Sequence, residues 1–274
     1  YKPSTSNQVA HQQVRNKKPM TPSLLVEFTK RDFVERYSGS ILGVGWGFIS
    51  PLVNILIYTL IFSQVMSARL PGATGGYSYS VYLISGLVPW LAFSGTVARI
   101  STVYLDKKNL ISKINISLFR LPFFIVMSET VTFMITLSIF IGFLLLIAHP
   151  MSPAILILPF VYFVQQVFAF AVGFILAQLT VFIRDLKEFT TIVLQLWFWF
   201  TPIVYVISIV PGSLSRLIIY NPAYQFIHVW QSVFVYQKIP DLTGIIVIAV
   251  TGHILLAIGL LMSRVLEKDI RDFL

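Results

Sequence analysis

The 274-residue chain is 56% hydrophobic and only 11% charged, whereas a soluble domain carries about a quarter charged residues. This composition predicts a polytopic membrane protein, and the absence of cysteine excludes disulfides, thiolate metal sites and cysteine nucleophiles. The formal net charge of +9 has to be assigned to the two sides of a membrane before it indicates any partner.

The first 40 residues are polar and basic and lack the apolar run of a cleaved signal peptide, which predicts a cytoplasmic amino terminus. Residues 1–20 are predicted to be a flexible cytoplasmic tail. Thr21 followed by Pro22 is typical of a helix start, and residues 21–40 are predicted to form an amphipathic helix on the inner membrane surface. The alternative is a solvated helix that contacts a neighbouring domain.

A charged segment passes directly into the first long apolar run between Arg31 and Leu52. No charged side chain occurs from Ile41 to Met66, and Trp46 lies near the crossing, where an amphipathic indole ring is favoured. This stretch therefore predicts a membrane boundary.

Six runs are long enough to cross a hydrocarbon core of about 30 Å as helices, which predicts an all-α fold with a six-span domain over residues 41–274. The segment at about 210–240 is too apolar for a simple loop and too often interrupted by proline for a span. It is predicted to form two short re-entrant or interfacial helices on the outer side. The predicted spans are 47–67, 80–98, 122–147, 155–183, 189–209 and 244–263.

The basic residues give the orientation of these spans. With the amino terminus inside, seven lie before the first span, five in the second connection, two in the fourth and three at the carboxyl end, so 17 lie inside. Only Arg69, Arg216 and Lys238 lie outside. This asymmetry predicts that both termini are cytoplasmic. It also explains the positive charge as a topology signal, so no nucleic-acid partner is expected.

Catalytic and nucleotide-binding motifs are scarce. No G-x-x-x-x-G-K-[ST] loop occurs, so any ATP energy has to come from a partner, and the scattered histidines predict no metal site. Glu129 is the only acidic residue placed within a predicted span. It is either a functional group or a structural bond to a neighbouring helix or arginine.

Aromatic residues are concentrated in three of the spans. Rings on several helices could line a path on which sugar C–H faces stack, and the alternative is an interfacial aromatic belt with ordinary packing. The candidate path residues are Tyr58, Phe62, Trp90, Phe93, Trp197, Phe198, Trp199, Phe200 and Tyr205.

The second cytoplasmic connection is basic and carries apolar residues among its polar ones. A short helix at about 104–119 could dock into a groove on a soluble partner, or it could lie on anionic headgroups. The fourth connection offers a second, smaller contact. The candidate contact residues are Asp106, Lys107, Lys108, Leu110, Ile111, Lys113, Arg184 and Asp185.

The residues Arg31-Asp32, Arg36-Tyr37, Ser40, Leu42-Gly43, Trp46 and Pro51-Leu52 resemble the signature of membrane subunits of polysaccharide ABC exporters, the O-antigen, capsule and teichoic-acid permeases. KNLISKINISLFRLP looks like the coupling helix of that family, FIRDLKEF like its short inner loop, and NPAYQFIHVWQ like its outer Asn-Pro segment.

This resemblance implies a homodimeric permease in the bacterial inner membrane, bound to two copies of a separate ATPase that holds ATP and Mg²⁺. Its substrate would be a polyprenyl-diphosphate-linked glycan. Arg31, Arg36, Tyr37 and Trp46 would form the entrance for the lipid diphosphate, because guanidinium groups match phosphate oxygens. The alternative is that both arginines only anchor the helix to lipid. The segment with Pro211, Asn221 and Pro222 would gate the outer end.

Rival functions come from other classes. An integral-membrane glycan polymerase or ligase would act without an ATPase, and an ion-coupled transporter is disfavoured by the scarcity of intramembrane charge. ABC exporters of drugs, haem or other lipids are closer alternatives.

Overall fold

The computed structural model of the protein describes residues 21–61, 77–113 and 116–274, and these residues form helices without any strand. The α-helices of this part of the chain are α1 (Pro22–Arg36), α2 (Trp46–Thr59), α3 (Ser78–Asp106), α4 (Lys108–Lys113), α5 (Phe123–Leu146), α6 (Leu158–Phe182), α7 (Leu186–Trp199), α8 (Gly212–Ile219), α9 (Pro222–Gln231) and α10 (Thr243–Phe273). Short 3₁₀ turns at Gly43–Gly45, Pro153–Ile157 and Ile207–Ile209 and a π-helical turn at Ser232–Tyr236 connect some of them.

Helix α3 lies at the centre of the bundle and is buried over most of its length. It packs against α5, α6 and α9, and α6 packs in turn along α10. Gly173 allows α6 to approach α3 closely, because a Cβ atom there would lie 2.8 Å from the Cβ of Ile100. Close backbone approach at small residues is the usual way in which membrane helices pack, since lipid provides no hydrophobic drive between them.

The outer faces of several helices carry large exposed apolar side chains. Such faces are typical of helices surrounded by hydrocarbon, where an apolar surface needs no cover from water. They include Val53 and Leu56 of α2, Met127 and Met134 of α5, Ile192 and Leu196 of α7, and Ile246, Val250 and Ile254 of α10.

Four helical segments in the described part of the chain are long and apolar enough to cross a membrane: Ser78–Asp106, Phe123–Leu146, Pro153–Phe182 and Thr243–Phe273. They overlap the second, third, fourth and sixth predicted spans, and four apolar helices of this length fit a polytopic membrane protein. The first predicted span begins as α2, but its residues 62–67 lie outside the described residues.

The fifth predicted span, 189–209, is wrong as a single continuous helix. Helix α7 ends at Trp199, and its 14 residues extend over about 21 Å, short of the roughly 30 Å of a hydrocarbon core. Pro202 lacks an amide N–H, so the chain cannot continue the helical hydrogen bonds there. The amide of Ile203 instead donates to the carbonyl of Thr201 at 2.7 Å.

The predicted start of α1 is confirmed. The Thr21 side chain accepts a hydrogen bond from the Leu24 amide at 3.4 Å, and Pro22 occupies the first turn. The helix ends at Arg36, four residues earlier than predicted, because Gly39 and Gly43 take left-handed φ angles of 82° and 50° in the loop to α2. The predicted tail at residues 1–20 lies outside the described residues.

One end of the bundle is closed by an apolar cluster that joins α1, α3, α4, α6 and α10. The Tyr104 hydroxyl donates to the Leu118 carbonyl at 2.9 Å, and Arg271 of α10 donates to the Ile116 carbonyl at 2.5 Å. These bonds attach the segment after α4 to the body of the protein. Ile100, Leu118, Leu121, Phe174 and Ile270 are fully buried in this cluster.

Candidate functional site

Four charged side chains from α1, α3 and α5 form one ion-pair network at the end of the bundle where α1 lies. Glu129 Oε1 accepts hydrogen bonds from Arg36 Nη2 at 2.6 Å and from Arg99 Nη1 at 2.7 Å. Arg99 Nη2 donates to Asp32 Oδ1 at 2.5 Å, and Arg36 Nη2 lies 3.9 Å from Asp32 Oδ2. The network, defined by these four residues, ties the surface helix to two membrane-spanning helices.

The network is electrically neutral and largely enclosed. Two guanidinium groups face two carboxylates, and only 6% of Glu129 and 8% of Asp32 is exposed. Arg36 also donates to Thr132 Oγ1 at 3.1 Å and to Ser128 Oγ at 3.3 Å. Buried charges are tolerated when they are paired and hydrogen-bonded in this way. Glu129 therefore bonds neighbouring arginines, which was the structural alternative for this residue.

Arg31 belongs to a second, exposed set of charges. Its Nε donates to Glu35 Oε1 at 2.6 Å, and Lys107 Nζ lies 3.2 Å from Glu35 Oε2. The hydrogen bond from Arg31, with a smaller contribution from Lys107, holds the pKa of the Glu35 carboxyl below its ordinary value. Arg31 and Arg36, both predicted to bind diphosphate, thus each have a carboxylate partner, but 71% of the Arg31 side chain is exposed.

A cavity of about 320 Å³ brings Arg31 together with residues predicted for partner contact. It lies between α1, the end of α3 and α4, and Arg31, Lys107 and Asn109 are among its lining residues. Asp106 and Leu110 line the same space. The predicted lipid entrance and the predicted coupling segment are therefore neighbours in the structure.

Tyr37 and Trp46 line a different cavity of about 230 Å³ between α2, α3 and α5. The Trp46 indole donates to Ser40 Oγ at 2.8 Å, which fixes the ring at the start of α2. Tyr58 and Glu129 line the same cavity. The structure thus joins two predicted entrance residues with one residue predicted for the aromatic path.

The predicted path residues separate into buried and exposed rings. Phe93 is fully buried and Trp90 nearly so, and their rings pack with Trp197 and Phe198 at centroid distances of 5.3–6.4 Å. Trp199 and Phe200 are 59% and 62% exposed. Tyr58 and Tyr205 are half-buried, and Phe62 lies outside the described residues. Phe93 contacts protein on every side within the protomer, so its ring faces the core rather than an open path.

Helix α4 is shorter than the predicted 104–119 segment, because residues 104–106 continue α3. Its Ile111 side chain is buried and Leu110 is half-buried, whereas Lys108 and Lys113 are exposed. Arg184 and Asp185 are also exposed, at the turn between α6 and α7. Helix α4 therefore has an exposed basic face, and its apolar side chains face the body of the protein.

The Asn-Pro segment is bonded to the end of α7. Asn221 caps α9, since its Oδ1 accepts from the Ala223 amide at 3.0 Å, and Pro222 occupies the first turn. The same Oδ1 accepts from the Trp197 indole at 2.6 Å, and Nδ2 donates to Thr201 Oγ1 at 3.0 Å. Pro211 is the residue that precedes α8.

Sequence reasoning missed several residues of these sites. From the sequence, Asp32 is placed only in the family signature and Arg99 only among the basic residues, although an isolated Glu129 within an apolar helix indicates that a cationic partner lies on a neighbouring helix. Ser50, Asn54, Thr132 and Thr136 interrupt apolar helices at four-residue steps, and that spacing could have identified a shared polar face.

The sequence pattern of the family described as ABC-2 type transporter matches residues 23–235, a range that contains the whole network. Two proteins from Klebsiella pneumoniae, each named O-antigen export system permease protein RfbA, are 30% identical over 254 residues, which is 92% of this chain and 95% of the relative. A protein of the same name from Myxococcus xanthus is 28% identical over 237 residues, 85% of this chain and 88% of the relative.

Proposed function

The chain belongs to the ABC-2 type transporter family, and on that premise we propose that it is the membrane subunit of an O-antigen type exporter. Its substrate is a polyprenyl-diphosphate-linked polysaccharide that moves from cytoplasm to periplasm, and a separate ATPase supplies the energy. The observation that carries this proposal is the similarity over nearly the whole length to proteins named as O-antigen export permeases.

The proposed arrangement is a six-span subunit of the inner membrane with both termini cytoplasmic. The 17 to 3 distribution of basic residues supports this orientation. The ring contact of Phe182 with Phe273, at 5.2 Å, brings the chain end next to the turn with Arg184. In the proposal α2 begins the first span, α7 and the segment after it cross the membrane together as the fifth, and two copies of the subunit form a homodimer.

The ATPase, present in two copies and holding ATP and Mg²⁺, contacts α4 and the turn at Arg184 and Asp185. Exposed Lys108 and Lys113 provide charge, while buried Ile111 transmits any displacement of α4 to the cluster beneath it. Lys107, paired with Glu35, connects the same movement to α1. These contacts support a mechanical link from the ATPase to the membrane helices.

At the entrance, the proposed diphosphate ligand is Arg31 rather than Arg36. A guanidinium group binds phosphate and carboxylate oxygens with the same geometry, so a diphosphate can exchange with Glu35 at the exposed Arg31. Exchange at Arg36 would leave Glu129 buried with one bond fewer. In the proposal Arg36 holds α1 in place, and Tyr37 and Trp46 lie beside the incoming head.

The proposed polymer path uses the exposed rings of α7. Trp199 and Phe200 are exposed in the protomer, and each ring offers a face on which sugars can stack. Trp90, Phe93, Trp197 and Phe198 support them as a packed layer. The segment with Pro211, Asn221 and Pro222 lies next to this layer and gates the outer end.

Copurification tests the partnership. The tagged chain, coexpressed with the products of its neighbouring genes, is expected to retain a nucleotide-binding ATPase subunit through purification. Replacement of both Lys108→Glu and Lys113→Glu should weaken retention, whereas Lys238→Glu at the opposite end should not. Failure of the wild-type chain to bind any nucleotide-binding subunit would contradict the exporter proposal.

The absence of cysteine permits a direct topology test. Lys113→Cys is expected to resist a membrane-impermeant thiol reagent in intact cells and to react after lysis. Lys238→Cys should react in intact cells once the outer membrane is permeabilised. The reverse pattern would contradict the proposed orientation.

A further inference from the structure

Two rows of polar side chains face each other across the 230 Å³ cavity between α2, α3 and α5. Residues three or four apart on a helix share one face, so each row is a continuous polar stripe within an apolar helix. The rows are Ser50, Asn54 and Tyr58 on α2, and Glu129, Thr132 and Thr136 on α5.

The remaining walls differ in chemistry. Helix α3 contributes an apolar wall with Val88 and Leu91, and the rings of Tyr37 and Trp46 lie at the end where α2 begins. On α5, the hydroxyl groups of Thr132 and Thr136 already donate to backbone carbonyls of their own helix. A lipid tail in this space would offer no polar partner to Ser50 and Asn54 on α2, which is costly in a medium of low polarity. The lining therefore favours an occupant that has both hydroxyl groups and C–H faces.

Charge decides between a sugar and a phosphate. Glu129 is the charged residue on the lining of this cavity, and both arginines that bond it are neutralised within the four-residue network. No excess positive charge faces the cavity among its lining residues, so an anion has no net attraction. Hydroxyl groups can instead donate to the carboxylate and accept from the Asn54 amide, while a ring face stacks on Trp46.

We propose that this cavity binds one monosaccharide ring of the lipid-linked glycan before translocation. The inference rests on the proposed function, because it takes the glycan of that substrate as the source of the sugar. A cavity of about 230 Å³ holds several water molecules and has space for a single sugar ring. The same chemistry would suit a hydroxylated headgroup of a bulk lipid, and the test separates the two sources.

The test uses a single cysteine in an otherwise cysteine-free chain. Ser50→Cys replaces a hydroxyl by a thiol on the cavity lining, and Val53→Cys on the same helix is the control, since Val53 is 43% exposed and does not line the cavity. The complete exporter with its ATPase is placed in phosphatidylcholine vesicles, and the rate of labelling by N-ethylmaleimide is measured. The added probes are polyprenyl diphosphate, polyprenyl diphosphate carrying one hexose, and phosphatidylglycerol.

Only the hexose-bearing lipid is expected to slow labelling of Ser50→Cys, by about tenfold when its concentration is ten times its Kd. Labelling of Val53→Cys should be unchanged by every probe. Equal protection by polyprenyl diphosphate without sugar, protection by phosphatidylglycerol, or no protection at all would each overturn the proposal.

A second measurement does not depend on thiol chemistry. Asn54→Ala removes one donor to a sugar hydroxyl, so half-maximal stimulation of the ATPase should require about threefold to tenfold more hexose-bearing lipid. Val53→Ala should leave this concentration unchanged, and so should Asn54→Ala when polyprenyl diphosphate alone is the stimulant. An unchanged concentration for Asn54→Ala with the hexose-bearing lipid would contradict the sugar site.

Failure of this inference and failure of the proposed function are distinguishable in the same vesicles. If the wild-type exporter moves glycan with ATP but Ser50→Cys is not protected, only the monosaccharide site is wrong. If no glycan moves, the proposed function itself is contradicted.

Discussion

The charged network and the aromatic layer hold the bundle together by different forces. In the network, Glu129 Oε1 joins α5 to α1 and α3 through two hydrogen bonds of 2.6 and 2.7 Å. Near the middle of α3, the rings of Trp90, Phe93 and Trp197 pack at 5.3–6.4 Å. Charged bonds are directional and can exchange with polar ligands, whereas ring packing depends on filled volume and tolerates little change. The contrast assigns recognition to the region of the charged network and shape to the aromatic layer.

The largest effect on stability is expected when Glu129, which accepts bonds from both arginines of the network, is replaced. Glu129→Ala leaves two guanidinium groups without their shared acceptor and should lower the free energy of unfolding by about 3–5 kcal/mol. Unfolding by sodium dodecyl sulfate in mixed micelles measures this loss. Glu129→Gln, whose amide oxygen still accepts hydrogen bonds, should lose less, and equal losses for both variants would contradict the bonding scheme.

In the aromatic layer, substitutions of buried and of exposed rings are expected to affect stability and export differently. Phe93→Ala leaves a cavity at a fully buried site and should lower the free energy of unfolding by about 3 kcal/mol in the same assay. Trp199→Ala removes a ring that is 59% exposed and should change stability by no more than about 0.5 kcal/mol, yet it should slow export. If Trp199→Ala exports at the normal rate, exposed rings do not form the polymer path.

Substitution of Asn221 is expected to have an intermediate effect on stability, because Asn221 forms hydrogen bonds beside the aromatic layer. Asn221→Ala removes the cap of α9 and the acceptor of the Trp197 indole, for an expected loss of about 1–2 kcal/mol. Asn221→Asp keeps the acceptor and should retain part of this stability. If Asn221→Ala lowers the free energy of unfolding by less than a typical substitution of an exposed residue, α7 and α9 are not coupled through Asn221.

The smallest effect on stability is expected for Glu35, because this carboxylate and Arg31 are exposed and their charges are screened by solvent. Arg31 and Lys107 hold the pKa of Glu35 below its ordinary value of 4.5. The ionised carboxylate therefore stabilises the native state above pH 4.5, and this contribution is lost as the pH falls through the lowered pKa. The stability difference between the wild type and Glu35→Gln should be present at neutral pH and vanish in acid. A difference that grows in acid would contradict the pairing.

The long apolar helices and the helix start at Thr21 were predictable, because length, apolarity and capping are local properties of the sequence. The early end of α7 at Trp199 was not, since apolar residues continue to position 209. Apolar content alone does not distinguish one helix from two shorter pieces.

The residues that contact the charged and aromatic side chains also could not be predicted from the sequence. Arg36 and Trp46 were both assigned to the entrance, but only packing shows that Arg36 faces Glu129, 93 positions away in the chain. Similarly, a ring that faces protein and a ring that faces lipid are both in apolar surroundings, so hydrophobic periodicity could not separate Phe93 from Trp199.

The most direct test of the account is transport by the purified components. The chain and its ATPase are reconstituted in vesicles that contain polyprenyl-diphosphate-linked glycan, and the glycan that becomes accessible on the opposite side is measured over time. The account predicts ATP-dependent translocation that stops when the ATPase is omitted. Translocation without the ATPase, or polymer growth in place of translocation, would contradict it.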